Sequence, residues 1–334
     1  MGGSIPRRPA APFVFRWVQE AAPGPQWLEL FQRTWPSYKR WFRRAEVEHP
    51  GLEACAEALA THMPELLPTW HRLQELTEGD PEVARMLSLF EPTPYVTGCS
   101  QAIWTRGEPL LVRNYDYHRH GCEGIFLHSN WSGTRTLVAS DCLWGVLDGV
   151  NEHGLVVSLA FGGRREVGSG FGIPLILRYV LETCASVAQA IQVFERVPSH
   201  MSYNISLLQA SGEHALVAVA PDRSTSTLER DVATNHQPGR KWSRYDVFTR
   251  SAEREKHLQK LLADPSLKRS DLVQAFLKDP LYNTRYERAF GTIYTSAYDP
   301  VQLEASFLWP SMRVDQSLDH FTPQTKSIDL GGHN

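Results

Sequence analysis

Near residue 98 the sequence changes character within a few positions, and no uniform architecture accommodates both sides of that change. The first 98 residues hold five of the ten tryptophans and 12 of the 22 prolines. Prolines separate three segments, 26–42, 52–62 and 64–76, in which apolar residues recur every three and four positions, the signature of amphipathic helices. So many large aromatic side chains need a surface to bury them, which predicts a helical segment packed against the rest of the chain. From residue 100 the texture is different. Short β-branched or alternating runs at 110–117, 135–140, 144–150 and 154–161 are separated by Gly, Asn and Asp, and these predict strands. Helices are predicted at 173–182, with a proline in the first turn, and at 186–195, where Ser186 is placed to cap. Strands follow at 205–209, 215–220 and 225–229, then helices at 251–262 and 269–277, the second with Ser270 as a candidate cap. Two further strands are predicted at 292–297 and 303–308. Strands and helices come in blocks rather than in alternation, which predicts an α+β fold of packed antiparallel sheets and argues against a doubly wound parallel sheet.

Composition narrows the partners. The 334 residues carry 34 basic and 37 acidic side chains, and the balance is nearly even on both sides of residue 98. Such a chain has neither the basic footprint of a nucleic-acid binder nor a polybasic membrane patch. No apolar stretch reaches the length of a membrane helix, and the Pro- and Arg-containing start does not read as a signal peptide. The five cysteines do not form the dense, even-numbered set of a disulfide scaffold, so reduced thiols and a cytoplasmic location are expected. Two matches to the glycosylation sequon, at Asn130 and Asn204, then carry no consequence.

Several islands hold chemistry-bearing residues. Thr97-Gly98-Cys99-Ser100 sits at the change of texture, just upstream of Arg113-Asn114-Tyr115-Asp116-Tyr117. A cysteine is a nucleophile only as thiolate, which needs a neighbouring base or a positive field. Arg113 and Asp116 could provide charge, but a spacing of three does not put both on one face of a flat strand. A buried thiol beside a turn is the commoner meaning of such a cysteine. Gly149-Val150-Asn151-Glu152-His153-Gly154-Leu155 reads first as a hairpin loop, and Ala233-Thr234-Asn235-His236 as a strand end. In either place an Asn amide is also a good oxyanion donor. His118, His120 and Cys122 alternate but lack a fourth ligand at metal-site spacing, so a solvated loop is the expected reading and no metal is implied. Gly168-Ser169-Gly170-Phe171-Gly172 lacks the third glycine and the βαβ context of a dinucleotide fingerprint. Arg285-Tyr286-Glu287-Arg288 precedes the 291–298 strand, where arginines are ordinarily surface or ion-pair residues.

Taken together, Gly98-Cys99-Ser100, Arg113-Asn114-Tyr115-Asp116, Asn151-Glu152-His153-Gly154-Leu155 and Thr234-Asn235-His236 resemble, in order, the islands of N-terminal-nucleophile cysteine hydrolases. The branch most resembled is the isopenicillin N (acyl-CoA:6-aminopenicillanic acid) acyltransferase family, with choloylglycine hydrolases more distant. The closing run 291–300 also fits, and the resemblance spans Gly98 to about Pro310.

That resemblance implies a four-layer αββα fold with an additional helical N-terminal segment. It implies a precursor that cuts its own Gly98–Cys99 bond. The products would be a helical α-chain, 1–98, retained beside a catalytic β-chain, 99–334, that begins at Cys99. Cleavage frees an α-amine of pKa near 8, able to serve as the base for its own thiol. The roles implied are Cys99 as nucleophile, Asp116 holding the amine, Arg113 favouring the thiolate, and Asn151 and Asn235 as oxyanion donors. A late arginine is implied at Arg288 or Arg285, with Arg288 the closer fit. The expected substrate is a small-molecule amide or acyl-CoA thioester, resolved from acyl-Cys99 by water or an amine without any cofactor. The competing reading, from another class, is a catalytically silent binding protein on the same fold.

Overall fold

The computed structural model describes residues 12–44, 48–239, 242–286 and 290–330. The chain opens with a strand, β1 (Phe13–Glu20), where helix alone was expected before residue 98. The reason is local: Phe13, Phe15 and Trp17 alternate with other residues, the period of a strand rather than a helix, and Phe15 and Trp17 are buried. Four helices follow, α1 (Pro25–Phe42), α2 (Leu52–His62), α3 (Leu67–Leu76) and α4 (Pro81–Leu87). The segment expected as one helix over 64–76 begins with a 3-10 turn at Pro64–Leu66 before α3 takes over.

Beyond residue 98 come β2 (Gly98–Trp104), β3 (Leu110–Tyr117), β4 (Ile125–Ser129), β5 (Thr136–Asp141), β6 (Gly145–Asn151) and β7 (Leu155–Phe161). Helices α5 (Ile173–Thr183) and α6 (Val187–Arg196) follow, and the Ser186 side chain caps α6 by accepting from Gln189 N. Then come β8 (Tyr203–Gln209), β9 (His214–Ala220), β10 (Arg223–Leu228) and β11 (Val232–Ala233). Helices α7 (Ser243–Thr249), α8 (Ser251–Ala263) and α9 (Arg269–Ala275) precede the closing strands β12 (Gly291–Asp299), β13 (Glu304–Trp309), β14 (Met312–Ser317) and β15 (Gln324–Ile328). Ser270 does not cap α9; its N-terminus is closed by the Asp271 carboxylate, which accepts from Lys268 N at 3.2 Å.

The strands form two sheets. One has the order β10-β9-β8-β7-β6-β5-β4-β1-β15, the other β11-β2-β3-β12-β13-β14. Helices α5 and α6 lie on the first sheet and α8 lies against β2 and β11 of the second, while β2 faces β7 and β8 across the interior. This is the four-layer α+β arrangement expected, with helices outside and two sheets face to face. The N-terminal strand is part of it: β1 runs parallel to β4 and antiparallel to β15. The tryptophans of the first 98 residues are used as their number predicted. Trp17, Trp27 and Trp70 are buried, and Trp27 Nε1 donates to the Leu143 carbonyl at 3.0 Å, tying α1 to the β5–β6 turn. Among the described residues no helix is long and apolar enough to cross a membrane.

Candidate active site around Cys99

Cys99 is the second residue of β2, and β2 pairs with β3 so that Cys99 lies opposite Tyr115 and Gly98 opposite Asp116. In this ladder side chains alternate between the faces. Cys99 and Arg113 project into the interior between the sheets, where Arg113 Nη2 donates to Cys99 Sγ at 3.3 Å and Nε to the Leu159 carbonyl of β7 at 3.1 Å. Asp116 projects the other way, toward α8, where Arg254 Nη1 lies 3.7 Å from its Oδ2. The spacing of three that seemed awkward therefore needs no bulge in β3. Arg113 addresses the thiol, while Asp116 meets Arg254 and Thr292 on the opposite face of the strand.

Arg113 is fully buried and forms an ion pair with Asp148 of β6, itself fully buried. Asp148 also accepts from Tyr294 Oη at 2.7 Å, Ser296 Oγ at 2.9 Å and Tyr298 Oη at 2.6 Å, all on β12. A buried charge this well supplied with partners is stable in place and holds the guanidinium rigidly beside the sulfur.

The backbone of Cys99 is gripped on both sides. Its N–H donates to Asn235 Oδ1 at 2.8 Å, and its carbonyl accepts from Arg254 Nη1 at 2.5 Å. Arg254 Nη2 reaches the same Asn235 oxygen at 2.8 Å, so one guanidinium ties both anchors together. Asn235 Nδ2 donates to the carbonyls of Thr97 and Phe161, each at 3.2 Å, and the Tyr245 hydroxyl also donates to Thr97 O. Asn235 is itself bracketed: Asn204 Nδ2 donates to the carbonyls on either side, Thr234 and His236, and Ser251 Oγ accepts from Asn235 N at 2.7 Å. Gly163, at φ +69°, passes so close that a Cβ would stand 2.2 Å from the Asn235 carbonyl oxygen.

Burial pushes the Cys99 thiol above its ordinary range, and the Arg113 charge works against that rise. Burial likewise raises the Asp116 carboxyl, opposed first by Arg254 and then by a 2.7 Å hydrogen bond from Thr292 Oγ1. The thiol is fully enclosed, with the Phe290 ring lying over Gly98. A cavity of about 590 Å³ opens on that side, lined among others by Val96, Tyr245, Phe248 and Phe290.

The structure thus brings Gly98, Cys99, Arg113, Asp116 and Asn235 together. It does not bring Asn151 to them, and the oxyanion role implied for that residue is corrected. Both Nδ2 hydrogens of Asn151 are spent on the carbonyls of Leu181 and Cys184, at 2.9 and 2.8 Å, and Oδ1 accepts from His153 N and Leu155 N. It closes the β6–β7 turn and ties it to the end of α5, the hairpin reading. Arg288 lies outside the described residues. Arg285 hydrogen-bonds the Asn283 side chain and shares a cavity of about 210 Å³ with Asp116 and Arg254, but makes no hydrogen bond with Cys99. Sequence reasoning missed Arg254, Tyr245 and Asp148. A signal existed for two of them. Arg254 falls between Ser251 and Leu258 on the buried stripe of α8, and Asp148 interrupts an apolar strand, as Arg113 does.

A family model described as acyl-coenzyme A:6-aminopenicillanic acid acyl-transferase matches residues 104–313. The chain belongs to that family. The family is one of acyl-transferases, so the chain is an enzyme of the acyl-transfer kind. Among curated proteins none matches. Similar solved structures include a penicillin V acylase from Agrobacterium tumefaciens, 14% identical, covering 70% of this chain and 92% of that one with a TM-score of 0.46. A Caenorhabditis elegans N-acylethanolamine-hydrolyzing acid amidase ortholog is 20% identical, covering 69% and 99%, with a TM-score of 0.45. A conjugated bile acid hydrolase variant from Clostridium perfringens is 12% identical, covering 69% and 96%, with a TM-score of 0.40.

Proposed function

We propose that this chain is the precursor of a self-processing cysteine amidohydrolase or acyltransferase, cut between Gly98 and Cys99. The observation that carries the reading is the treatment of Cys99 itself: sulfur, backbone N–H and backbone carbonyl each have a dedicated buried partner, in Arg113, Asn235 and Arg254. Any buried peptide group needs partners, but here both are side chains, joined by one guanidinium that also reaches Asn235.

In the cleavage step the Cys99 sulfur attacks the Gly98 carbonyl carbon and gives its proton to the departing Cys99 nitrogen. The product is a Gly98 thioester on the sulfur and a free α-amine. Water then attacks the thioester, leaving a Gly98 carboxyl group and the regenerated thiol. Asn235 Oδ1 is already at the nitrogen that becomes the amine, so the same contact orients the general base afterwards. In turnover the amine takes the thiol proton, the sulfur attacks an amide or thioester carbonyl, and the acyl-Cys99 intermediate passes to water or to an amine. Asn235 Nδ2, held in the uncut chain by the carbonyls of Thr97 and Phe161 at 3.2 Å, is the donor proposed for the developing oxyanion.

After the cut, residues 1–98 stay as the α-chain of a two-chain enzyme. Support comes from β1, whose backbone is paired on both sides within the nine-stranded sheet and whose release would break it open. Five unpaired thiols suit a reducing, cytoplasmic setting. Intact-mass measurement tests the reading. Purified protein is expected as two fragments divided before Cys99, and the Cys99→Ala variant as one chain. Wild-type protein that stays whole on prolonged incubation overturns it.

A further inference from the structure

A further cavity, of about 460 Å³, lies under α1. Its floor is acidic. Glu123, ahead of β4, and Asp141, the last residue of β5, are both more than nine-tenths buried. Tyr38 from α1 donates to Glu123 Oε1 at 2.5 Å and lies 3.2 Å from Asp141 Oδ1. Glu123 Oε1 further accepts from Leu143 N at 2.7 Å, while Oε2 has no hydrogen-bond partner among the described residues. A carboxylate that only braced the Cys142–Leu143 turn would need one oxygen. The second is left without a partner in a place where an unmatched polar atom costs about 1–3 kcal/mol, and Glu123 is a lining residue of the cavity.

The walls are aromatic. Tyr38, Trp41, Tyr95 and Tyr117 form a connected series, with ring centroids 6.1 Å apart for Tyr38–Trp41 and Trp41–Tyr95 and 6.3 Å for Tyr95–Tyr117. Aromatic faces around a buried carboxylate are the chemistry that recognises an ammonium group. The rim has the opposite sign. Arg33 and Arg44 line the mouth, and neither is within ion-pair distance of a described carboxylate. Cations outside and acids within match a ligand that carries both charges.

We propose that this cavity binds a small amino acid, its ammonium group on Glu123 within the aromatic walls and its carboxylate at the arginine rim. Tyr115 links it to the chemistry: this residue is the cross-strand partner of Cys99, and its hydroxyl donates to Asp141 Oδ2 at 3.3 Å. The proposal is for binding alone, and it does not rest on the amidase and acyltransferase reading.

The test uses full-length Cys99→Ala protein, which neither cuts nor turns over. Binding of amino acids from glycine to 6-aminohexanoate, and of the matching alkylamines, is measured by ligand-observed NMR and calorimetry above about pH 8, where Glu123 of the empty site is ionised. At least one amino acid is expected to bind saturably and more tightly than its amine. Adding Glu123→Gln should weaken both at least tenfold, with thermal melts checking the fold, and Trp41→Leu should weaken both independently of that carboxylate. Arg33→Met should weaken the amino acid and spare the amine. No saturable binding by any probe, or affinity unchanged by both Glu123→Gln and Trp41→Leu, overturns the proposal. Either result leaves the self-cleavage reading standing, because that reading is decided by the mass of the wild-type chain.

Discussion

Asn235 Oδ1 accepts the Cys99 backbone N–H at 2.8 Å and shares Arg254 with the Cys99 carbonyl. The nitrogen that the proposed cut would free is thus held beforehand. Replacing Asn235 by Ala strands that N–H, one arm of Arg254 and two carbonyls, at about 1–3 kcal/mol for an unmatched buried group. The expected outcome is cleavage slowed about 10- to 100-fold, at about 1.4 kcal/mol per tenfold. Asn235→Asp, which keeps the accepting oxygen, should recover part of the rate. Densitometry of precursor and products against time checks both, and an unchanged rate in Asn235→Ala would remove this residue from the mechanism.

Arg113 serves stability and reactivity through different partners, and the two can be separated. Arg113→Met leaves Asp148 buried without its counter-charge, which is expected to cost about 3–5 kcal/mol in urea unfolding. Adding Asp148→Asn removes the orphaned charge and should restore most of that loss. It should not restore the thiol. Burial raises the Cys99 thiol and Arg113 opposes the rise, so without the guanidinium the thiolate forms only at higher pH. Iodoacetamide labelling of Cys99, followed by peptide mass against pH, should shift upward in the double variant. A profile matching the wild type would show that Arg113 does not tune the sulfur.

The layers of the fold were legible because periodicity carries them. The strand predicted at 110–117 and the helices at 52–62 and 173–182 appear within a residue of those bounds, each with a clean period and a Pro, Gly or polar stop. β1 was lost for the opposite reason, since eight alternating residues beside proline-rich sequence give little to set against three strong helices. The site was half legible. Cys99, Arg113 and Asp116 lie on adjacent strands, where short-range spacing is informative. Arg254 comes from a helix 155 positions beyond Cys99, and only tertiary packing decides which buried arginine meets which carbonyl. Asn151 illustrates the converse, a motif position whose local turn chemistry fully consumes the side chain.

That consumption has a measurable consequence. Asn151→Ala removes four hydrogen bonds that join the β6–β7 turn to the end of α5. At about 1 kcal/mol net for each bond, a stability loss of about 2–4 kcal/mol is expected. Activity per folded molecule should change less than threefold. An oxyanion donor would instead lower kcat by about 100-fold or more with little effect on melting. Chemical denaturation and active-site titration on the same sample distinguish the two.

The acidic floor under α1 predicts an unusual pH dependence. Burial first, and then the neighbouring Asp141 charge, push Glu123 up to about 8 from the ordinary 4.5, and burial pushes Asp141 up to about 6 from 3.8. The folded chain thus keeps protons that the unfolded chain releases. Its contribution to stability is full below the unfolded values and is lost as pH rises through the folded ones. Melting temperature is expected to fall between about pH 5 and 8, and Glu123→Gln, which does not titrate, should flatten that slope. A wild-type slope identical to that of Glu123→Gln would mean that Glu123 ionises normally.

At the bond proposed to be cut, Gly98 is required by what lies on top of it. A Cβ there would stand 2.2 Å from Phe290 Cζ and 3.0 Å from Asp116 Cβ. The first contact is with the far end of a ring that can be removed, the second with the root of a side chain fixed in the β3 ladder. Gly98→Ala alone should therefore displace the Gly98 carbonyl from the Cys99 sulfur and slow cleavage, where a misplacement of about 1 Å costs on the order of 100-fold. Adding Phe290→Ala relieves the larger clash and should recover a substantial part of the rate, although the Asp116 contact keeps it below that of the wild type. Phe290→Ala by itself should leave cleavage nearly intact and speed labelling of Cys99, because the ring is what covers the bond. If Gly98→Ala cut at the wild-type rate, the close packing over this peptide would have no part in the reaction. If the double variant were no faster than Gly98→Ala, the constraint would lie in Asp116 rather than in the ring.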